Sequence, residues 1–274
     1  MKAFAMNYTL GISTCPNDTF MFHALLERKL DTGGFDLAIE LYDIQELNER
    51  LQRGAFHFSK ASAATAVATS SRFEVCSAGA ALGFGVGPLL LSGPRAKPLS
   101  ADAVVLCPGA TTTAYLLMHK FFPLATRVEH CIFSDIMPAL ERGEADYGVV
   151  IHEGRFTYRD HGLTLVADLG ELWERSEQLP LPLGVIVADR SLPEEVRSRF
   201  DELVRRSIAY AVAHRLETLP TMKAHAQELD DRVIWAHVDL YVNQWSLCLG
   251  EDGERALRAF EGAARGSGLV IRRP

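Results

Sequence analysis

The stretch Ala145-Asp-Tyr-Gly-Val-Val-Ile-His-Glu-Gly-Arg-Phe-Thr-Tyr158 indicates the fold class and presents one candidate catalytic side chain. Its apolar run from Val149 to Ile151 lies between Gly148 and Gly154, a pattern typical of a buried strand in an α/β sheet. Such sheets place ligands beyond the carboxyl ends of their strands. His152 follows the run directly, and imidazole titrates near neutral pH, which suits general acid and base catalysis. A histidine that only satisfies loop carbonyls is the competing interpretation.

The composition of the whole chain is that of an ordinary globular protein, and its charge distribution leads us to expect a small ligand. The chain has 274 residues, of which 48% are hydrophobic and 23% charged, so it suits one large domain or two lobes. Its net charge of -7 is spread without long runs. Because phosphate binding needs clustered Lys and Arg, a nucleic-acid partner is not expected.

The cysteines and the amino terminus point to a reducing cytosol. The cysteine count is odd, the spacing is wide, and no Cys-x-x-Cys pair or metal-ligand spacing occurs among Cys15, Cys76, Cys107, Cys131 and Cys248. No apolar core of a secretory signal precedes Ser13. The uncharged stretch from Val75 to Gly93 has four glycines and Pro88 before its apolar run. We therefore interpret it as a loop followed by a strand, Leu89 to Leu91, and not as a membrane span.

The first part of the chain alternates predicted strands with helices. Asn17 or Asp18 is placed to cap a helix after the Cys15-Pro16 turn, and Asp43 to cap the next. Lys60-Ala-Ser62 follows the third strand and leads into a helix of small residues. The predicted strands are Tyr8 to Ser13, Phe35 to Tyr42 and Phe56 to Ser59.

The following segment repeats this order of elements. Cys107-Pro108 corresponds to Cys15-Pro16, and a helix opens at Thr111-Thr-Thr113. Ser134 is placed to cap the next helix. The segment Lys60 to Ser62 in the first unit occupies the place that His152 has in the second. The predicted strands here are Ala103 to Leu106, Val128 to Phe133 and the strand that ends at His152.

Two similar units predict two α/β lobes whose strand ends face each other across a ligand cleft. Lobe 1 comprises residues 1–92 and 189–274, and lobe 2 comprises residues 93–188. The extended apolar segments Pro88 to Gly93 and Leu183 to Asp189 are predicted to be paired hinge strands. The chance similarity of strand-turn-helix units is the alternative explanation for the repeat.

The carboxyl-terminal part is predicted to be mostly helical and to pack against lobe 1. Tyr241 and Trp245 fall at helical spacing and are expected in the core or at the cleft rim. Asn243 is the candidate for ligand contact among their neighbours. The predicted elements are helices from Pro193, Glu217 to Leu229, Arg232 to Leu249 and Glu251 to Ala264, and a last strand, Leu269 to Ile271.

Several catalytic motifs are absent from the sequence. It has no G-x-S-x-G, no H-E-x-x-H and no Walker loop, and Pro88 breaks the dinucleotide spacing after Gly83-Phe-Gly85-Val-Gly87. We therefore expect neither a metal nor a nucleotide cofactor. Lys60 at the cleft edge fits an anchor for an acidic ligand better than a Schiff-base amine.

A carboxylate site is predicted where the helix opens at Thr111-Thr-Thr113. The first turn of a helix leaves backbone N–H groups without internal partners and favours an anion. We expect a ligand carboxylate at Thr113 and Ala114, with Lys60 and Ser62 holding the other end. One threonine that merely caps its own helix would explain one hydroxyl but not three.

The chain resembles the 1,4-dihydroxy-6-naphthoate synthase family of the futalosine route to menaquinone. The resemblance covers nearly the whole chain, and the motifs beginning at Cys15 and at Ile151 together are specific; Thr14 stands where the family commonly has proline. The segments that carry it are Ser13 to Phe20, Lys60 to Ser62, Gly79 to Pro88, Thr112 to Tyr115, Ile151 to Tyr158, Leu181 to Gly184, Val233 to His237 and Tyr241 to Asn243.

This resemblance implies a type II periplasmic-binding-protein-like fold with two hinge strands. It also implies cleavage of cyclic dehypoxanthinyl futalosine to 1,4-dihydroxy-6-naphthoate and dihydroxyacetone by a cytoplasmic lyase without a cofactor. His152 would be the proton acceptor, and the resemblance places substrate-binding segments at Lys60-Ala61-Ser62 and at Thr113-Ala114. Asn17 and Asn243 are further candidates for substrate contact.

Two other functions remain open at this point. A solute-binding protein without catalysis has the same fold, and fold alone does not imply function. Chorismate dehydratase of the same pathway is the nearer alternative. The missing signal peptide argues against the first, and the stretch from Ile151 to Phe156 favours the synthase over the second.

Overall fold

The computed structural model describes residues 7–226 and 230–267 of the chain. Its strands are β1 Asn7–Ser13, β2 Asp36–Tyr42, β3 Phe58–Ser62, β4 Phe73–Val75, β5 Ala81–Gly83, β6 Leu89–Ser92, β7 Val105–Cys107, β8 Val128–His130, β9 Tyr147–Val150, β10 Thr164–Asp168 and β11 Leu181–Asp189. Its helices are α1 Pro16–Met21, α2 His23–Leu26, α3 Ile44–Gln52, α4 Ala63–Ala68, α5 Thr113–Phe121, α6 Phe133–Arg142, α7 Gly154–Thr157, α8 Leu169–Glu177, α9 Glu194–Ala213, α10 Leu219–His225, α11 Asp231–Tyr241, α12 Gln244–Leu247 and α13 Gly250–Gly266, with a 3₁₀ turn at Arg215–Thr218.

Two sheets organise the molecule, and their strand orders repeat one scheme. The first has the order β2-β1-β3-β11-β4, with β5 also paired to β11, and the second has the order β10-β6-β9-β7-β8. In each sheet three parallel strands, β2-β1-β3 or β8-β7-β9, are followed by an antiparallel strand. The predicted repeat therefore has the same topology in both lobes.

The antiparallel strands β6 and β11 lie inside the sheets. Leu89–Ser92 pairs with β9 and β10 of the second sheet, and Leu181–Asp189 pairs with β3, β4 and β5 of the first. The segments predicted as hinges are thus largely sheet strands, because a buried apolar strand needs backbone partners on both sides. The chain crosses between the sheets at residues 84–88 and 178–180. The predicted division at residues 92/93 and 188/189 stays a prediction, and both crossings lie several residues before those points.

The inner strands β6, β9 and β11 are covered on both faces, which explains why they are almost uniformly apolar, whereas the edge strands β8 and β10 are largely exposed. In the first sheet Ile186 faces helices α1, α9 and α11, whereas its neighbour Val187 faces α4 and α13. In the second sheet Val149 faces α5 and α8, whereas Val150 faces α6.

The carboxyl-terminal helix α13 packs against lobe 1, and it also contacts lobe 2. It packs on α4 and β11 of the first lobe. Its Phe260 also meets Trp173 of α8 in the second lobe, with ring centroids 5.5 Å apart. The predicted strand Leu269 to Ile271, and the end of the helix predicted from Glu217 to Leu229, lie outside the described residues.

Two predicted helix caps are wrong, and one is confirmed. Asp43 accepts a hydrogen bond from the Gln45 backbone and caps α3 as predicted. Neither Asn17 nor Asp18 caps α1, whose cap position is Cys15, because the carboxylate of Asp18 binds other partners. Ser134 lies inside α6, which begins after Ile132.

Within the described ranges, no helix combines the length and apolar character needed to cross a membrane.

Candidate active site

A cleft between the two sheets brings together the ends of four strands. It encloses about 670 Å³ of empty space, including the part open to solvent. The parallel strands β1 and β3 of one lobe and β7 and β9 of the other end here, so the side chains that follow them face one another. The residues that line it are Ser13, Asn17, Ile44, Lys60, Ser62, Ala81, Val86, Gly87, Pro88, Thr112, Thr113, Ala114, Ile151, His152, Leu183, Gly184, His237 and Tyr241.

His152 lies in this cleft, two residues beyond the end of β9. Its backbone is in the left-handed region, with φ 55°, which is uncommon for a residue with a side chain and occurs at functional sites. Burial lowers the pKa of His152 to about 4; the Asp18 carboxylate opposes this decrease and the Lys60 ammonium adds to it. The imidazole is therefore neutral at pH 7 and able to accept a proton.

Cys15 of the opposite lobe is in contact with His152. Its Sγ lies 3.3 Å from Nδ1 and 3.5 Å from Nε2 of the imidazole. Burial is the main reason that the pKa of the Cys15 thiol is raised well above its usual value, and the Glu153 carboxylate adds to the rise. Cys15 is thus a neutral thiol, a weak hydrogen-bond donor to His152 and not a thiolate nucleophile.

Lys60 reaches the cleft, but its charge is already paired. Its Nζ donates to Oδ1 of Asp18 at 2.7 Å, and the side chains are only 5% and 0% exposed. Gly184 on the neighbouring strand makes room for this side chain, since a Cβ there would lie 2.9 Å from Cε of Lys60. An ion pair this deeply buried fixes Lys60 in place and reduces its capacity to hold an acidic ligand.

The threonine hydroxyls at the start of α5 have partners within the protein. Thr112 caps α5 by accepting from the Tyr115 backbone, and Thr111 donates to Gln45. The Thr113 hydroxyl donates to the carbonyl of Leu183 at 3.0 Å and accepts from the Ala64 backbone at 3.4 Å. These hydroxyls are therefore engaged within the protein, and the run of three threonines does not supply hydroxyl donors for a carboxylate.

The backbone at the same helix end keeps its capacity for an anion. Among the described residues, the N–H groups of Thr113 and Ala114 have no protein acceptor, and both residues line the cleft. Free N–H groups at a helix amino terminus bind carboxylates. The position predicted for the carboxylate stays a prediction. It depends on these backbone N–H groups alone and not on the threonine hydroxyls.

Ser62 lines the cleft but, like the threonines, is held by protein partners. Its Oγ donates to the carbonyl of Thr111 at 2.8 Å and accepts from Asn48 at 3.1 Å. Thr65 donates to the same Thr111 carbonyl at 3.0 Å. These hydrogen bonds join α3, β3 and α4 of one lobe to the loop before α5 of the other.

Two predicted substrate-binding residues do not line the cleft. Ala61 is fully buried in the hydrophobic cluster between the first sheet and α13, since alternate residues of a strand face opposite sides. Asn243 caps α12 and donates to the Leu82 carbonyl at 2.9 Å. Asn17, by contrast, is at the cleft and 6% exposed.

The structure adds a residue that the sequence interpretation did not select. His237 of α11 lies against His152, with ring centroids 6.0 Å apart and planes 20° apart. Its Nε2 is 3.0 Å from Oδ1 of Asn17. Tyr241, one turn later, is buried at the cleft rim as predicted, whereas Trp245 packs against Phe84 away from the cleft. The helical spacing of His237 and Tyr241 was the sequence feature from which His237 could have been selected as a cleft residue.

Arg155 stabilises the wall of the cleft next to the His152 loop. Its guanidinium donates to the Gly87 carbonyl and to Asp168, both at 2.6 Å. Gly87 lies against Gly170, where an added Cβ would be 2.2 Å from backbone atoms. The crossing segment, the His152 loop and the start of α8 are thereby held together.

In the described part of the chain, no three His, Cys, Asp or Glu side chains are grouped as metal ligands.

Known proteins share both the sequence and the fold of this chain. Residues 8–265 match a family described as menaquinone biosynthesis. A 1,4-dihydroxy-6-naphthoate synthase of Thermus thermophilus is 43% identical over 97% of this chain and 96% of its own length. An enzyme of the same name from Streptomyces coelicolor is 38% identical over 95% of this chain and 94% of its own length.

Solved structures give the fold class. A crystal structure of an Archaeoglobus fulgidus protein has a TM-score of 0.90 at 29% identity, covering 96% of this chain and 98% of that one. The alkanesulfonate-binding protein SsuA of Xanthomonas axonopodis pv. citri has a TM-score of 0.69 at 12% identity, covering 97% of this chain and 94% of that one. The predicted periplasmic-binding-protein-like α/β fold is confirmed.

Proposed function

The chain belongs to the menaquinone biosynthesis family, as its sequence motifs indicated, and on that premise we propose that it forms 1,4-dihydroxy-6-naphthoate. The proposed reaction is the cleavage of cyclic dehypoxanthinyl futalosine to this product and dihydroxyacetone. The enzyme is thus a carbon–carbon lyase of the futalosine route. Its cytoplasmic location and independence of a cofactor belong to the same proposal.

The observation that carries this proposal is the neutral imidazole of His152 in a cleft that both lobes line. In a retro-aldol cleavage a base removes a hydroxyl proton while the adjacent carbon–carbon bond breaks. One fragment keeps the new carbonyl group, and the other receives the electron pair. His152 is the base in this scheme, and aromatisation of the ring to the naphthoate supplies the driving force.

The same cleft provides a place for each end of the substrate. The carboxylate of the naphthoate part lies at the backbone N–H groups of Thr113 and Ala114, where the helix dipole favours an anion. Lys60 lies on the facing lobe and contacts the other end, whereas Ser62, whose hydroxyl donates to the Thr111 carbonyl, lies close to the start of α5. Because Lys60 is ion-paired with Asp18, it contributes a positioned side chain to substrate binding more than a net positive charge.

Product analysis by mass spectrometry, with the cyclic substrate and with chorismate in parallel, tests the activity. We expect naphthoate and dihydroxyacetone from the first compound and no turnover of the second. Dehydration of chorismate, or binding of both without turnover, would replace this proposal by one of the two alternatives.

The role of His152 is tested by His152→Ala, with His161→Ala as the matched control. His161 follows the same loop but is exposed and paired with Glu141. We expect the first variant to lose at least about a hundredfold in kcat, with substrate affinity within roughly tenfold, because a base acts in the transition state. If His152→Ala keeps more than about a tenth of the wild-type kcat, the base lies elsewhere.

A further inference from the structure

A chain of four buried polar side chains runs beneath the cleft from Lys60 to His237. Nζ of Lys60 lies 2.7 Å from Oδ1 of Asp18, and Nδ2 of Asn17 lies 3.0 Å from the same oxygen. The other amide atom of Asn17, Oδ1, is 3.0 Å from Nε2 of His237. All four residues are less than a tenth exposed. The hydrogen bonds therefore persist without competition from bulk water.

The donors and acceptors in this chain determine which nitrogen of His237 carries the proton. The Asp18 carboxylate, ion-paired with Lys60, only accepts hydrogen bonds, so Asn17 must turn its NH₂ group towards it. Oδ1 of Asn17 then faces Nε2 of His237. Two acceptors cannot form a hydrogen bond, so Nε2 carries a proton. Burial also lowers the pKa of His237 well below its usual value, which keeps the ring singly protonated.

The second nitrogen of the ring, Nδ1, is consequently a bare acceptor. Among the described residues it has no hydrogen-bond partner, although the side chain is 1% exposed. A buried acceptor without a donor is unfavourable, and such atoms are rare in folded proteins. The ring that carries it lines the cleft and stacks beside His152. A ligand that supplies a hydroxyl group would complete this hydrogen bond.

We propose that Nδ1 of His237 accepts a hydrogen bond from a substrate hydroxyl and so positions that part of the substrate beside His152. The proposal rests on the proposed function and deepens it. This contact also orients the substrate. A carboxylate only accepts hydrogen bonds, so it cannot pair with an unprotonated ring nitrogen. The hydroxylated end lies at His237, and the carboxylate lies at the start of α5.

Two substitutions separate the acceptor from the rest of the side chain. His237→Gln keeps an N–H donor near the position of Nε2, facing Asn17, but has no acceptor at the position of Nδ1. His237→Asn places an amide oxygen near the position of Nδ1 and gives up the contact with Asn17. The readouts are KM and kcat for the cyclic substrate and Kd for the product, with thermal melts to verify folding.

We expect His237→Gln to raise KM and Kd by about tenfold, the effect of one lost hydrogen bond, and His237→Asn to keep both within about threefold. If His237 had only a structural role, His237→Gln, which keeps the contact with Asn17, would melt at a higher temperature than His237→Asn. Neither variant would then change KM selectively. Equal KM and Kd for wild type and His237→Gln would overturn the proposal.

The tautomer is measured independently of catalysis. ¹⁵N NMR of histidine-labelled wild-type protein, with His237→Gln for assignment, distinguishes protonated from bare ring nitrogens. We expect protonated Nε2 and bare Nδ1 at pH 7, and loss of this preference in Asn17→Ala. A proton on Nδ1 would overturn the proposal even if the enzyme is active. Wild-type protein with this tautomer that neither cleaves the cyclic substrate nor binds the product would instead overturn the proposed function, and the substrate contact with it.

Discussion

At the scale of single residues, His152 combines a strained backbone with a neutral side chain. Its positive φ turns it out of the line of β9, and the short helix α7 begins two residues later. Such conformations persist only where the surrounding structure holds them. Here the Phe133 ring, 4.9 Å from the imidazole centroid, and the Cys15 thiol supply that support.

The lowered pKa of His152 predicts an unusual pH profile for the enzyme. A base is active when deprotonated, so activity falls as the pH decreases through the pKa, which is about 4. We expect kcat/KM to stay level from about pH 8 to pH 5, measured in buffers of constant ionic strength. An ordinary histidine would produce a decline centred near pH 6.5, and such a decline would contradict this assignment.

At the scale of secondary-structure elements, the buried ion pair of Asp18 and Lys60 joins α1 to β3. Asp18 also accepts from the Ser13 backbone at 3.2 Å, so it holds the turn between β1 and α1. Removing one partner of a buried pair leaves an uncompensated charge, which is far less favourable than removing both.

We expect Asp18→Asn to lower the free energy of unfolding by about 3–5 kcal/mol, the range for breaking a buried pair. The double variant Asp18→Asn with Lys60→Met should recover much of this loss, because it buries no unpaired ammonium. Urea denaturation of the wild type, both single variants and the double variant gives the comparison. Additive effects of the two substitutions would show that the pair is not coupled.

A second prediction at this scale concerns the backbone N–H groups at the start of α5. Ala114→Pro removes one of the two free N–H groups, at a position where proline is compatible with the first turn of a helix. We expect the affinity for the naphthoate product to fall about tenfold, as for a lost hydrogen bond to a charged group. Glu195→Pro, at the same position of the distant helix α9, is the matched control for the effect of proline itself.

Isothermal titration calorimetry of both proline variants, with thermal melts alongside, checks this expectation. Unchanged product affinity in folded Ala114→Pro would place the carboxylate elsewhere in the cleft.

At the scale of the whole molecule, the lobes are joined by two chain crossings and by hydrogen bonds across the cleft. The carbonyl of Thr111 in lobe 2 accepts from Ser62 and Thr65 in lobe 1. The crossings, residues 84–88 and 178–180, lie outside the strands and helices and permit a hinge. Helix α13 contacts both lobes and limits how far they can separate.

We predict that the lobes close on the ligand and that Thr65→Val shifts the free protein towards an open state. The substitution keeps the side-chain shape but removes one hydrogen bond between the lobes, worth about 0.5–1.5 kcal/mol. Solution scattering should show a larger radius of gyration for the free variant than for the wild type, and a decrease when product is added. Thr69→Val, whose hydroxyl bonds only within α4, is the control. An identical radius in the free and product-bound variant would contradict closure.

The sequence by itself determined the order of the elements, the repeated unit and the position of His152. These features depend on local patterns: apolar runs that are buried in strands, helical spacing, and turn residues such as Pro and Gly between them. The two units could be matched because each repeats the same order over a similar length. The short strands β4 and β5, and the pair β10 and α8, lacked a clear local pattern and were not predicted.

Only the tertiary structure decided the partners of the polar side chains. The hydroxyls of Thr111 and Thr113, the amide of Asn243 and the charge of Lys60 all looked available for a ligand in the sequence. Each is engaged by residues far along the chain, and the contact between Asn17 and His237 joins positions 220 residues apart. A hydrogen bond depends on distance and direction in space, and sequence spacing fixes neither once the chain crosses twice between two sheets.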